Sequence, residues 1–132
     1  MANTIISAKD VELKFGKGSE EVVALKNVSL EVSAGEFVSF IGPSGCGKTT
    51  FLRTVAALEK PTCGQVLVNG VSPDEARIDR AYGYVFQSAG LYPWRNIFKN
   101  VSLPLEIMNY KKEEIFKRVT KALNLVELNG FE

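Results

Sequence analysis

Gly42-Pro43-Ser44-Gly45-Cys46-Gly47-Lys48-Thr49 is the stretch that decides the reading of this chain, because it fills the pattern G-x-x-x-x-G-K-[ST] at every fixed position. Glycines let the backbone wrap closely around phosphate oxygens, since no side chain holds the amide groups away. Several N–H groups then converge on one anion at the positive end of the following helix. Lys48 adds a point charge for the outer phosphates, and the Thr49 hydroxyl is placed to ligate Mg²⁺. A glycine-rich turn that binds nothing is the plainer alternative. At average residue frequencies a chain this long meets the pattern by chance in well under about 1% of cases. A dinucleotide loop fails on spacing, because Gly45-Cys46-Gly47 would need glycine or alanine at position 50, where Thr50 stands. Cys46 fills a variable slot of the loop and reads as a passive thiol.

The flanking segments supply the context that such a loop requires. Before it, residues 37–41 (Phe37-Val38-Ser39-Phe40-Ile41) are nearly continuous in apolar character, which predicts a central parallel strand covered on both faces. After it, residues 48–58 read as a short helix with Phe51, Leu52 and Val55 inward, and Pro61 lies just past its end. Further out, residues 4–15 alternate loosely around Ile6, Val11, Leu13 and Phe15. Residues 22–32 set Val28, Leu30 and Val32 against Asn27, Ser29 and Glu31, a period of two that suits an antiparallel strand with one wet face. Residues 65–68 form a short strand, Asn69-Gly70 a hairpin turn, and residues 82–86 another strand after a polar segment. From Asn96 onward the pattern turns helical. Ile115, Val119, Ala122, Leu123 and Val126 make a stripe, while Lys112, Glu113, Lys117 and Arg118 face water as a solvated surface.

Composition narrows the class. The chain has 132 residues, 45% hydrophobic and 23% charged, which suits one compact domain and excludes disorder as the default. A formal net charge of +1 gives no reason to expect a nucleic-acid partner. No apolar stretch approaches the roughly 20 residues needed to cross a bilayer, and residues 1–4 lack the pattern of a secretory signal. Two cysteines, Cys46 and Cys63, make no disulfide framework and fit a reducing cytosol. There is no histidine, so no histidine ligand, base or triad comes from these residues.

Several blocks in order resemble the ATP-binding subunits of ABC transporters. They are Ala24-Leu25-Lys26-Asn27-Val28-Ser29-Leu30, Gly35-Glu36-Phe37, the phosphate loop, Leu58-Glu59-Lys60-Pro61-Thr62-Cys63-Gly64 and Val85-Phe86-Gln87, within a resemblance running from Ile5 to Glu132. Leu91-Tyr92-Pro93-Trp94-Arg95 looks most like importers of the nitrate, sulfonate and taurine type. The resemblance implies an α/β fold of the P-loop NTPase kind, holding its N-terminal portion. A β-subdomain would occupy mainly residues 1–35, part of the parallel-sheet core residues 36–95, and the start of a helical subdomain residues 96–132.

It implies ATP and Mg²⁺ as cofactors, bound by Gly42, Pro43, Ser44, Gly45, Cys46, Gly47, Lys48, Thr49 and Thr50. Phe15 matches the aromatic that stacks on adenine, and Ala24 lines the same site. Gln87 matches the glutamine that touches Mg²⁺ and the attacking water, so that Thr49 and Gln87 form the metal set and Lys48 and Gln87 the catalytic one. The stretch 88–96, opening on Ser88 and closing on Asn96, corresponds to the loop that meets transmembrane permease subunits. Leu91, Tyr92 and Trp94 in it read equally as an interface or as buried residues. A second ATP-binding subunit would join head to tail in the intact protein, which would lie in the cytoplasm, peripheral on the inner face of the membrane.

Other parts of the family pattern are not in these residues. The Leu-Ser-Gly-Gly signature, the acidic strand that holds Mg²⁺ through water, the catalytic glutamate and the switch histidine would all follow Glu132. Neither Leu103-Pro104-Leu105-Glu106, with its proline, nor Leu125-Val126-Glu127, on the helical stripe, replaces the acidic strand. The expectation is a chain with the binding half of an ATPase site and without the hydrolytic half, so a non-hydrolysing nucleotide-binding remnant stands as the alternative. An unrelated small P-loop kinase is disfavoured by the β-strand lead-in and by Phe15.

Overall fold

A computed structural model describes residues 3–128 and 130. Met1 and Ala2, read above for a leader, residue 129, and the closing Phe131-Glu132 of the family resemblance lie outside the described residues. The chain forms two compact units, residues 1–84 and 85–132.

The first unit is built on three antiparallel strands, β1 (Thr4–Phe15), β2 (Val22–Ser33) and β3 (Cys63–Val68), in the order β2-β1-β3. The period-two pattern of residues 22–32 holds in β2: Val32 is buried and Val28 and Leu30 half-buried, whereas Asn27, Ser29 and Glu31 are exposed. In β1 the alternation breaks because Ala8 and Val11, three apart, both point inward. A bulge absorbs the extra residue: Asp10 takes φ 47° and its N–H donates to the Ser29 hydroxyl at 2.9 Å. Ala8, Val11, Leu13, Leu25 and Val66 form the core with Phe51 from helix α1 (Lys48–Val55). At Asn69-Gly70 both φ angles are positive (51° and 79°) and Val68 and Val71 exchange backbone hydrogen bonds, the two-residue hairpin turn that the dipeptide predicts.

Helix α1 is shorter than its sequence pattern, and its faces are assigned differently. Ala57 adopts φ 52°, its N–H donates to the Thr54 carbonyl, and the Leu58 N–H donates to that of Arg53, a paired closure that stops the helix before Pro61 can act. Leu52 is exposed, and Thr54 takes the inward position instead. A threonine is tolerated there because its hydroxyl donates to the Thr50 carbonyl at 2.9 Å. The polar segment after the hairpin contains a helix, α2 (Pro73–Ile78), too short for its apolar periodicity to show in the sequence. Ser72 and Glu75 make a reciprocal capping box around it, with Pro73 in the first turn.

Two expected strands are not formed. Residues 37–41 and 82–86 have no ladder among the described residues. A parallel strand needs a neighbour paired with it along its length, and neither segment enters the β2-β1-β3 sheet. Phe37 and Ile41 are 92% and 96% exposed, whereas Phe40 turns back to meet Phe51 edge-on with ring centres 5.6 Å apart.

The second unit contains α3 (Ile97–Ile107) and α4 (Lys112–Leu125). Phe98 and Phe116 join the two, with ring centres 5.9 Å apart. Of the predicted stripe on α4, Val119 and Leu123 are buried and Ile115 is half-buried, but Ala122 and Val126 are exposed. The stripe is therefore narrower than its pattern, because α3 covers only one side of it. Lys112, Glu113, Lys117 and Arg118 face outward as expected. No helix among the described residues is long and apolar enough to cross a membrane.

Candidate functional site

The phosphate-loop residues run from the end of the 37–41 segment into α1. Gly47 is the N-cap of α1 at φ 95°, and a Cβ placed on it would lie 2.7 Å from the Ala24 carbonyl oxygen and 3.0 Å from Leu25 Cδ2. Only glycine fits a left-handed backbone pressed this closely against β2. The contact brings Ala24 beside the loop through its main chain, which is how β2 positions the turn.

No side chain caps α1 and no acidic residue stands in its first turn. The first-turn N–H groups are thus left for an acceptor from outside the helix, and no carboxylate in that turn would repel an anion. The Lys48 ammonium reaches back across the loop. It donates to the carbonyls of Gly42 and Pro43, both at 2.7 Å, and to Cys46 Sγ at 3.3 Å. The loop closes on itself through a 3.4 Å bond from the Cys46 N–H to the Pro43 carbonyl. Thr49 is exposed and Thr50 half-buried. This donor set of one ammonium, uncapped helical N–H groups and a hydroxyl, without a first-turn carboxylate, fits a polyphosphate with a hard cation on its oxygens.

Phe15 ends β1 opposite Val22 and is 43% exposed, so the ring has a free face while its backbone is fixed in the ladder. Within the first unit, the hairpin carries Phe15 and Ala24 and the loop carries the phosphate-binding candidates. Gln87 lies in the second unit, exposed, at a bend just beyond residues 82–86. Among the described residues no cluster of three or more Cys, Asp or Glu side chains could hold a metal by itself. The sequence reading gave no role to Leu25 or to the main chain of Ala24, which shape the turn; no motif signals a backbone contact of that kind.

A family model described as ABC transporter matches residues 25–132. The chain belongs to the ABC transporter family. Among similar proteins, an Fe(3+) ions import ATP-binding protein of Pasteurella multocida is 44% identical over 131 residues, 98% of this chain and 36% of that protein. A maltose/maltodextrin import ATP-binding protein of Yersinia pestis is 41% identical over 129 residues, 97% of this chain and 33% of its own length. Among solved structures, a dimeric ATP-binding cassette in a post-hydrolysis state with ADP and Pi superposes with a TM-score of 0.81 at 38% identity, over 95% of this chain and 58% of that one. The fold is accordingly that of the N-terminal part of an ABC ATPase cassette, and the chain spans about a third of those two import proteins. Their names, Fe³⁺ and maltose, lend no support to the narrower nitrate, sulfonate and taurine reading of Leu91–Arg95.

Proposed function

We propose that this chain is the nucleotide-binding portion of an ABC import ATPase. MgATP binds with its phosphates on residues 42–50, Lys48 and the first-turn N–H groups neutralising the charge and Thr49 placed for the cation. Phe15 stacks on the adenine, with Ala24 beside it. Gln87 supplies a second oxygen to Mg²⁺ and orients water. The observation that carries this reading is the Gly47 turn pressed against Ala24, beside an uncapped helix N-terminus and a lysine that reaches back across the loop.

In the intact protein, two such subunits close head to tail on two nucleotides. Residues 88–96 meet the permease subunits on the inner face of the membrane, and hydrolysis drives solute import. The division into residues 1–35, 36–95 and 96–132 belongs to the same proposal. Binding of a fluorescent ATP analogue, displaced by unlabelled ATP, tests it; an analogue that does not bind or is not displaced by ATP removes the reading. Phosphate release by the native-length protein tests the hydrolysis that the proposal assigns to the intact protein.

A further inference from the structure

The turn at residues 91–96 leaves most of its backbone hydrogen bonding to one side chain. Asn100, in α3, accepts from the Tyr92 N–H at 2.8 Å through Oδ1. Its Nδ2 donates to the carbonyls of Tyr92 (3.1 Å), Arg95 (2.8 Å) and Asn96 (3.1 Å). Arg95 then folds onto the helix. Its Nε and Nη2 donate to the Lys99 carbonyl at 2.9 and 2.6 Å, and Nη2 also lies 2.7 and 2.9 Å from the two Glu106 carboxylate oxygens. Glu106 accepts in addition from the Ser102 hydroxyl, which is 1% exposed and so fixes the carboxylate from the buried side.

What this network holds in place is an exposed pair of rings. Trp94 is 77% exposed and its ring centre lies 5.0 Å from that of Tyr92, with Leu91 exposed beside them. Large apolar side chains on a surface turn favour association, and a turn ordered beforehand loses less conformational freedom on binding. A single exposed ion pair would contribute little. Here, however, the guanidinium satisfies a helix carbonyl as well, and a carboxamide spans three turn residues.

We propose that Asn100 and Arg95 are positioning residues that hold 91–95 as a preformed turn on α3, presenting the Tyr92–Trp94 pair to an apolar surface of a protein partner. The identity of that partner as a permease subunit rests on the function proposed above; the ordering of the turn does not. Trp94 is the only tryptophan of the chain, so its fluorescence reads the turn directly. In time-resolved anisotropy of the whole chain, Trp94 follows overall tumbling. Asn100→Ala and Arg95→Lys each add a nanosecond component, the timescale of free loops, and raise quenching by acrylamide. Far-UV circular dichroism and ATP affinity stay unchanged, which separates loss of position from loss of fold. Lysine keeps the charge but lacks the planar fork that reaches carbonyl and carboxylate together.

A wild-type Trp94 that already moves freely on the nanosecond scale overturns the proposal whatever the variants do. If Asn100→Ala loses helix, Arg95→Lys decides, and an unchanged decay there overturns it. In the full-length protein purified with its membrane subunits, Trp94 becomes shielded from acrylamide; equal quenching with and without them overturns the partner assignment. Absence of ATP binding would remove the proposed function while leaving the anisotropy result to stand.

Discussion

At Lys48 two carbonyls and a thiol share one ammonium, all within the loop that the lysine closes. Those neutral acceptors are weaker partners than phosphate oxygens, which make charge-assisted bonds about twice as strong. The side chain can therefore exchange them for an anion without leaving the loop. Gly47→Ala tests the turn rather than the charge. Its Cβ meets the Ala24 carbonyl at a backbone angle alanine avoids, so the loop shifts, stability falls by more than about 1 kcal/mol in urea titrations, and ATP affinity falls with it. Unchanged affinity with normal stability would show that the turn geometry is dispensable. Phe15→Ala weakens ATP binding by about 1 kcal/mol, the scale of one stacking contact; a fluorescent nucleotide bound equally by both forms removes Phe15 from the site. The loop was legible because its spacing is chemistry written in sequence. Ala24 was legible only through family resemblance, since its observed contribution is a carbonyl oxygen, which every residue has.

Helix ends account for much of what the sequence concealed. Among the described residues, all four α-helices close with the same pair of backbone bonds around a left-handed residue, and in each case it is not glycine: Ala57, Arg80, Asn109 and Glu127. A reader looking for glycine or proline stops runs past Val55, as the 48–58 expectation did. Ala57→Gly should raise stability by up to about 1 kcal/mol, because glycine takes positive φ without the Cβ penalty; a lower denaturation midpoint would contradict this.

The capping box of α2 was present in the sequence as Ser72-Pro73-Asp74-Glu75, yet a six-residue helix has too short a pattern to announce itself. The 37–41 and 82–86 strands failed for the opposite reason. Their composition suits strands, but a ladder is a property of two segments, and the composition of one does not say whether another lies beside it. In the second unit, the Ser102 hydroxyl and then Arg95 hold the Glu106 carboxyl below its usual range, with Lys99 acting in the same sense. A lowered folded value stabilises the charged form, so this contribution is complete above the usual carboxylate range and is lost as pH falls through the folded value. Trp94 quenching should accordingly rise at a pH below that range, and Glu106→Gln should abolish the transition; a titration at an ordinary carboxylate pH would break the link to Glu106.

On the scale of the whole chain, the exposed apolar side chains stand out. Phe37, Ile41 and Val85 are each more than nine-tenths exposed, more than a stable surface usually carries in contiguous strand-like runs. The 132-residue chain by itself should bind a hydrophobic dye and self-associate on sedimentation. A monodisperse monomer that unfolds reversibly in one step without dye binding would contradict that. This chain matches 58% of the solved cassette. The residues proposed to hold the nucleotide need less of the chain, because the loop, α1 and the hairpin bearing Phe15 and Ala24 all belong to the first unit. Calorimetric titration of MgATP into the wild-type chain and into Lys48→Ala is the most direct test of that claim. Saturable binding by the wild type, weakened in the variant by more than about 1.4 kcal/mol, tenfold, is the predicted result. Equal affinity in the two, or no binding to the wild type, would contradict the phosphate-loop assignment.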